Sequence, residues 1–225
     1  LVTNAGVIGT DVSGVGTART EPAAANYGGD KAIFGYGETG GSTFVSMSNL
    51  VTNAGVIGTD VSGVGTARTE PAAANYGGDK AIFGYGETGG STFVSMSNLV
   101  TNAGVIGTDV SGVGTARRSL AAASYGTDKA IFGYGYASSK FSLTNLVSNS
   151  GVVASDVTGV GTARHNLAAT NYGGDKAIFG YGSNASAANV SLTNLVNSSG
   201  VVASDVTGVG TARQGLAAAG YSISA

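Results

Sequence analysis

The stretch LAAASYGTDKAIFGYG, residues 120–135, predicts the fold of the repeating unit. Its first half is a short apolar run of small residues that ends at the turn signal GTD, residues 126–128. Its second half, KAIFGYG, combines β-branched and aromatic residues and closes on glycine, which is typical of a strand end. A helix is a poor alternative, because each interior glycine costs a helix about 1 kcal/mol relative to alanine. The stretch therefore predicts two strands joined by a tight hairpin.

Two more strands are predicted after this hairpin. Residues 141–147 form the third, the turn signal SNSG follows, and the valine-rich residues 152–157 form the fourth. The Ala-Ile-Phe run carries apolar side chains on both faces, which indicates a sheet that is covered on both sides. The unit is therefore predicted to be a four-stranded antiparallel sheet with a neighbour on each face.

The unit recurs along the whole chain. Successive copies start 47 or 49 residues apart, and such periods are typical of β-propeller blades. We therefore expect a single all-β domain, residues 1–225, folded as a β-propeller. Its repeats are 1–49, 50–98, 99–145 and 146–194, with a partial repeat at 195–225.

The sizes of the side chains fit the taper of such a ring. Strands near the axis converge and need small side chains, whereas strands near the rim diverge and need bulk. An Ala-Ala-Ala run fits the innermost strand, and Ile, Phe, Leu and Val fill the sheet outward. The run occurs at residues 23–25, 72–74 and 121–123.

The number of blades is predicted to be five, one of them composite. The chain has five Gly-Thr-Ala-Arg copies but four Lys-Ala-Ile-Phe copies. N-terminal strands three and four can join the C-terminal innermost strand, which removes open sheet edges. This composite blade would lack its second strand. Three explanations of the missing strand stay open. The ring tolerates the gap, residues before Leu1 once filled it, or the repeats belong to a larger ring or oligomer.

The unit resembles the kelch-type repeat, whose usual order is an arginine, a small-residue innermost strand, a hairpin, an apolar strand ending in a glycine pair, and two outer strands. The chain departs from this order in two respects, because Gly-Tyr-Gly replaces the glycine pair and no tryptophan is present. Tandem units this alike are also similar to repeat arrays of phage tail fibres and adhesins. The matching residues are Arg117, 120–125, 128–129 and 130–135.

Composition argues against several classes of function. The net charge is −2 and no cluster of Lys and Arg occurs, which disfavours nucleic acid and anionic membranes as partners. No apolar run approaches the roughly 18 to 20 residues that span a bilayer, so we expect a soluble chain without membrane insertion. The chain has no cysteine and a single histidine, His165, so we expect no metal site, no cofactor and no enzyme. A copper-dependent propeller oxidase is disfavoured as well, because the chain lacks the cysteine and the histidines that would bind copper.

Two repeated residues each have a structural and a ligand-binding interpretation. The arginine of Gly-Thr-Ala-Arg either gathers with its copies on an anionic or polyhydroxyl ligand or pairs with the aspartate eight residues earlier. We favour pairing, because the two residues occur in equal numbers and form charge-assisted hydrogen bonds. The tyrosine of Gly-Tyr-Gly either packs between blades, which we favour, or presents its face to a sugar. The arginines of this structural ring are Arg19, Arg68, Arg117, Arg164 and Arg213.

The copies differ at two places, directly after the repeated arginine and directly after Gly-Tyr-Gly. Residues 1–68 and 50–117 are identical, so the variation lies mainly in the later repeats. Variable loops on a fixed scaffold are the usual form of a binding surface, although loops also drift when nothing constrains them. The predicted ligand-binding residues are Glu21, Glu70, Arg118, Tyr136, His165, Asn166 and Gln214.

These patterns together predict a non-catalytic recognition module. The expected ligand is a cell-surface glycan, bound by a phage fibre or adhesin, which places the protein outside the cell or on a virion. The alternative is a structural or designed repeat scaffold without a ligand, and the exact duplication favours it. Association into a homo-oligomer stays open.

Overall fold

The chain is all-β over the residues that the structure, a computed structural model, describes, which are 7–40 and 42–220. No helix occurs among them, and hence none that could cross a membrane. In chain order the strands are β1 (Ala23–Tyr27), β2 (Lys31–Gly35), β3 (Glu38–Thr39), β4 (Thr43–Phe44), β5 (Ser48–Val51), β6 (Ala72–Tyr76), β7 (Lys80–Gly84), β8 (Glu87–Thr88), β9 (Thr92–Phe93), β10 (Ser97–Val100), β11 (Ala121–Tyr125), β12 (Lys129–Gly133), β13 (Thr144–Val147), β14 (Arg164–His165), β15 (Ala168–Tyr172), β16 (Lys176–Gly180), β17 (Ser183–Asn184) and β18 (Thr193–Val196).

These strands form four three-stranded antiparallel sheets, one for each full repeat. The first sheet is β1-β2-β5, the second β6-β7-β10, the third β11-β12-β13 and the fourth β15-β16-β18. In the third sheet Tyr125 pairs with Lys129 at the turn and Ala121 pairs with Gly133 at the far end. The predicted hairpin is therefore confirmed. Short ladders β3-β4, β8-β9 and β14-β17 stand beside the sheets.

The fourth strand of each unit is less regular than predicted. Of residues 152–157, Val153 and Val157 pair with β13 through isolated bridges, and the Ala154 N–H donates to the Leu146 carbonyl oxygen at 2.8 Å. Between the bridges, Asn145 Nδ2 donates hydrogen bonds to the Ala154 carbonyl oxygen at 3.0 Å and to the Asp156 carboxylate at 2.9 Å. Because a side chain replaces part of the backbone pairing, the segment bulges and the ladder is interrupted.

Consecutive sheets pack face to face through an aromatic ring that lies on a glycine. The Phe132 ring of the third sheet lies so close to Gly84 of the second that a Cβ there would stand 2.7 Å from it. The same ring meets Tyr85 edge to face, with centroids 5.2 Å apart, and both rings are fully buried. The contact recurs as Phe83 on Gly35 and as Phe179 on Gly133.

A second contact joins the sheets near their hairpin ends, where a glycine of one sheet packs on a tyrosine and a leucine of the sheet before it. A Cβ on Gly151 would lie 2.9 Å from Leu99 Cδ2 and 3.0 Å from the Tyr76 ring, and Gly151 has a φ of +83°. This contact leaves Tyr76 only 3% exposed. Gly104 packs in the same way on Tyr27 and Leu50, and Gly200 on Tyr125 and Leu146.

The alanine-rich strands lie side by side on the inside of the array. β1 lies against β6, β6 against β11, and β11 against β15. These four strands and residues 218–220 line one cavity of about 330 Å³. The cavity agrees with the predicted place of the small side chains. Closure into a five-bladed propeller stays a prediction, since residues 214–220 form no strand and residues 1–6 of the composite blade lie outside the described residues.

Substitution of Gly84 tests the ring-on-glycine contact. We expect Gly84→Ala to lower the free energy of unfolding by about 1–3 kcal/mol, because the added methyl group overlaps the buried Phe132 ring. Gly180→Ala is the matched control, since its Cβ would meet only Thr193 Cγ2, at 3.4 Å. Urea denaturation followed by circular dichroism measures both. Equal stability of the two variants would contradict the packing.

Candidate functional site

The arginine of Gly-Thr-Ala-Arg is buried against its own sheet. Arg117 is fully buried, and its Nη2 donates to Asn145 Oδ1 of β13 at 2.7 Å. Its Nε donates to the Tyr134 carbonyl oxygen at 2.7 Å, and its Nη1 donates to the Thr115 carbonyl oxygen at 2.9 Å. Nη1 also lies 3.9 Å from Asp156. One guanidinium therefore holds several segments of the same sheet together.

The aspartate partner that the sequence predicts for each arginine is wrong. Asp109, eight residues before Arg117, pairs with Arg68 at 4.0 Å, whereas Arg117 pairs with Asp156. The reason is that the outer segment of each sheet comes from the following sequence repeat, so the aspartate of that repeat completes the sheet. The same shift gives the pairs Arg19 with Asp60 and Arg164 with Asp205.

The arginine also joins neighbouring sheets through the tyrosine of Gly-Tyr-Gly. The Arg117 guanidinium carbon lies 4.4 Å from the centroid of the Tyr85 ring, which is a cation–π distance. Tyr85 donates its hydroxyl to the Val113 carbonyl oxygen at 3.2 Å. Burial raises the pKa of Tyr85 to about 12, although Arg117 acts in the opposite direction. Arginine and tyrosine are thus both occupied by packing between sheets, which for the tyrosine is the interpretation favoured from the sequence.

The residue after each of the first four arginines pairs across to the residue after Gly-Tyr-Gly, and the pairs range from exposed Thr20 to buried Thr69 and Ser183. These are the two places where the copies differ, and the structure brings them together as backbone partners. We call these residues the variable row. Along the array its pairs are Thr20 with Glu38, Thr69 with Glu87, Arg118 with Tyr136, and His165 with Ser183.

The first half of the variable row is acidic. Thr69 Oγ1 donates to the Glu21 carboxylate at 2.9 Å, which joins the first two repeats. Arg118 pairs with Glu70 and also places its Nε 3.0 Å from Glu87. An arginine of the third repeat thus holds two glutamates of the second repeat beside it.

The second half of the variable row is aromatic and basic. The Tyr136 ring lies 6.1 Å from the Phe93 ring and 5.7 Å from the His165 ring, between centroids. Lys140 Nζ donates to Ser183 Oγ at 3.3 Å, so its ammonium group contacts a neutral oxygen. Burial lowers the pKa of His165, and the nearby Lys140 and Arg118 lower it further. The imidazole is therefore kept neutral beside two cations.

A cavity of about 310 Å³, which we call the mouth cavity, opens beside the row. The second residue after each of the first four arginines lines it in a left-handed backbone conformation, with φ between +49° and +54°. This conformation costs a residue other than glycine about 1–2 kcal/mol, and such strain clusters at ligand-binding sites. The four residues are Glu21, Glu70, Ser119 and Asn166, and Gly215 takes the fifth place.

Glu70 is the most perturbed acid in the mouth cavity. Burial raises its pKa to about 7, Arg118 opposes the shift, and the neighbouring Glu21 and Glu87 add to it. Ser119 donates its hydroxyl to the same carboxylate. The mouth cavity therefore contains an acid that exchanges its proton near neutral pH.

The structure brings six of the seven predicted ligand-binding residues into the variable row or the mouth cavity. Gln214 is exposed beside Gly215, outside the contacts of the other six. The sequence analysis missed Glu87, Phe93 and Lys140 as members of the site. Their sequence signal was weak, since Glu87 and Phe93 lie in the two-residue strands β8 and β9 and Lys140 lies in an isolated bridge. The six are Glu21, Glu70, Arg118, Tyr136, His165 and Asn166.

Neither a metal site nor a relative identifies the function of this surface. Within residues 7–40 and 42–220, no acidic and imidazole side chains form a group that could hold a metal ion. Comparison with protein-family models finds no match, and comparison with curated proteins finds no related sequence. The function therefore has to be argued from the geometry of the row and the cavity.

Replacement of Arg117 tests the buried network. We expect Arg117→Met to lower the free energy of unfolding by about 2–4 kcal/mol, because it leaves buried hydrogen-bonding groups without their donor. Arg213→Met is the control, since Arg213 is exposed and stacks on Tyr181 at 4.7 Å. Thermal and chemical denaturation measure the difference. A loss at Arg117 no greater than that at Arg213 would overturn the assigned role.

Glu70 predicts a pH dependence of stability. Its pKa is about 7 in the folded state against 4.5 for a free side chain, so folding favours the protonated form. The contribution of Glu70 is therefore fully present below pH 4.5 and is lost as the pH rises to about 7. We expect Glu70→Gln to reduce this decline by an amount on the order of 1 kcal/mol, since solvent screens a partly exposed acid.

Denaturant titrations between pH 4 and pH 8, about the range over which a carboxyl of this kind titrates, measure the effect of Glu70→Gln. Glu38→Gln is the matched control in the first repeat, and it should retain the decline because Glu70 is intact. The same pH profile in wild type and Glu70→Gln would refute the assignment.

Proposed function

We propose that this protein is a non-catalytic recognition module that binds surface glycans at the variable row and the mouth cavity. One observation carries the proposal: the positions that differ among otherwise near-identical repeats converge on a single surface. Loop drift alone gives no reason for two separate variable stretches to meet in cross-strand pairs. A binding surface on a fixed scaffold gives such a reason.

The chemistry of this surface suits a sugar. Glycan recognition needs flat apolar faces for the ring and placed polar groups for the hydroxyls, as pockets for small polar ligands generally do. The Tyr136 and His165 rings, 5.7 Å apart and partly exposed, supply the faces. Carboxylates accept hydroxyl protons, and the Asn166 amide both donates and accepts.

The proposal includes the setting of the module. We infer that the sheets belong to a propeller of kelch type, with the mouth cavity at one end of its central opening, and that the protein acts outside the cell or on a virion. Five repeats contribute to the mouth cavity, which supports this arrangement. The row combines a neutral histidine with ion-paired acids, so we assign it to binding without catalysis.

A scaffold without a ligand is the second candidate. The identity of residues 1–68 and 50–117 favours it, because an exact duplication copies the surface as well as the core. In this case the ion pairs of Arg118 with Glu70 and Glu87 stabilise the contact between the second and third repeats and bind no ligand. The two candidates differ in whether the surface binds anything saturably.

A glycan array, followed by calorimetric titration of the best glycan, distinguishes them. We expect saturable binding, and we expect Tyr136→Ala and His165→Ala each to weaken it at least about tenfold, a loss of about 1.4 kcal/mol. Lys129→Ala is the control, since Lys129 is partly exposed in the hairpin at the opposite end of the third sheet.

An array without saturable binding would support the scaffold. Binding that survives both aromatic substitutions would move the site elsewhere on the molecule. Circular dichroism of each variant verifies that the fold is intact, because both side chains contribute to packing in the row.

A further inference from the structure

The cavity of about 330 Å³ that the alanine-rich strands enclose, which we call the inner cavity, has an uncharged lining. Among the described residues this lining consists of alanine, asparagine, serine, threonine and glycine. An ionised ligand would lose hydration there without meeting an opposite charge, and such a loss is costly. The inner cavity therefore selects a ligand that is uncharged.

Three asparagines line the inner cavity with amides that the protein leaves free. Asn75 directly precedes Tyr76, and because successive side chains alternate across a strand, it faces away from the sheet contact that buries Tyr76. Within residues 7–40 and 42–220, none of the three amides makes a hydrogen bond to the protein. The three are Asn26, Asn75 and Asn171, and Ser124 and Gly220 take the same position in the other two repeats.

The asparagines of the third strands are different, because their amides are used within the sheet. Asn145 accepts from Arg117 and donates to the Ala154 carbonyl oxygen and to Asp156. A side-chain amide has two N–H donors and one carbonyl acceptor. The free amides around the inner cavity thus offer donors and acceptors together to a ligand.

The acetamido group of an N-acetylated sugar matches this lining. Its N–H and its carbonyl oxygen complement the acceptor and the donors of a side-chain amide. Its methyl group finds apolar contacts on alanine side chains such as those of Ala73 and Ala122. A volume of about 330 Å³ lies at the lower end of the range of ligand pockets, which suits a small ligand such as a single sugar unit.

The inner cavity continues the mouth cavity along the same chain segments. Glu21 and Pro22 line the mouth cavity, and Ala24 and Asn26 line the inner cavity. From Glu21 to Asn26 the chain spans at most about 18 Å, so one short oligosaccharide can reach both cavities.

We propose that the inner cavity binds a terminal N-acetylated sugar of the glycan that the mouth cavity and the variable row bind. This inference rests on the proposed function and adds the class of sugar to it. The alanine side chains contact the acetyl methyl group, and the asparagine amides bond to its N–H and its carbonyl oxygen.

A nuclear magnetic resonance titration of the full chain with N-acetylglucosamine tests the inference. We expect the side-chain amide signals of Asn26, Asn75 and Asn171 to shift and to saturate. Glucose lacks the acetamido group, and glucosamine carries a charged amine in its place. Each should bind at least about tenfold more weakly than N-acetylglucosamine.

Substitutions in the inner cavity make the test specific. Asn75→Ala should weaken the binding of N-acetylglucosamine about tenfold, and it should fold because the amide makes no bond to the protein. Asn149→Ala is the matched control, since the Asn149 amide bonds to Asp128 on the surface, outside both cavities. Ser124→Asn places the asparagine of the first two repeats in the third and should strengthen the binding.

The outcomes separate this inference from the proposed function. Shifts at Tyr136 and His165 alone would assign the sugar to the variable row, which overturns the inference and leaves the proposed function standing. A titration without saturable shifts, or equal affinity for glucose, would also overturn the inference. Saturable shifts at the three asparagines would support the inner cavity even if Tyr136→Ala leaves the binding of longer glycans unchanged.

Discussion

The buried guanidinium of the Gly-Thr-Ala-Arg arginine is the interaction on which the rest of the structure depends. A desolvated cation is tolerated only where its donors and its charge are satisfied. Arg117 meets this condition by gathering an asparagine from the third strand, an aspartate from the outer segment and a tyrosine ring from the preceding sheet. Formation of one sheet is therefore coupled to its packing on the next.

This coupling explains how the residues of the variable row can differ between repeats while the buried residues next to them stay the same. The residues after the arginine and after Gly-Tyr-Gly begin within one position of the fully buried groups, so their backbone is held firmly. The side chains of Thr20, Arg118, Tyr136 and His165 are at least partly exposed, so their type can change with little effect on the core. A site built on such a base keeps its geometry while its chemistry changes along the row.

The sequence predicted the all-β class, the hairpin and the burial of the Gly-Tyr-Gly tyrosine, because these follow from local pattern and from side-chain size. The prediction of the aspartate partner of Arg117 was wrong, because that partner depends on which repeat supplies the outer segment of the sheet. The sequence also failed at the outer segment, where the Asn145 side chain competes with backbone pairing. The variable positions were found from the sequence, but their meeting in cross-strand pairs depends on short bridges that no periodicity encodes.

The left-handed backbone at Glu21, Glu70, Ser119 and Asn166 has a consequence for how the surface can diversify. Outside glycine, this conformation is adopted most readily by asparagine and aspartate, whose short side chains bond to nearby backbone. Natural or directed evolution of ligand preference at the mouth cavity should therefore be restricted at these four positions to a few compact polar residues. Longer or branched residues would lower the stability of the folded protein there, because they adopt the left-handed conformation less readily.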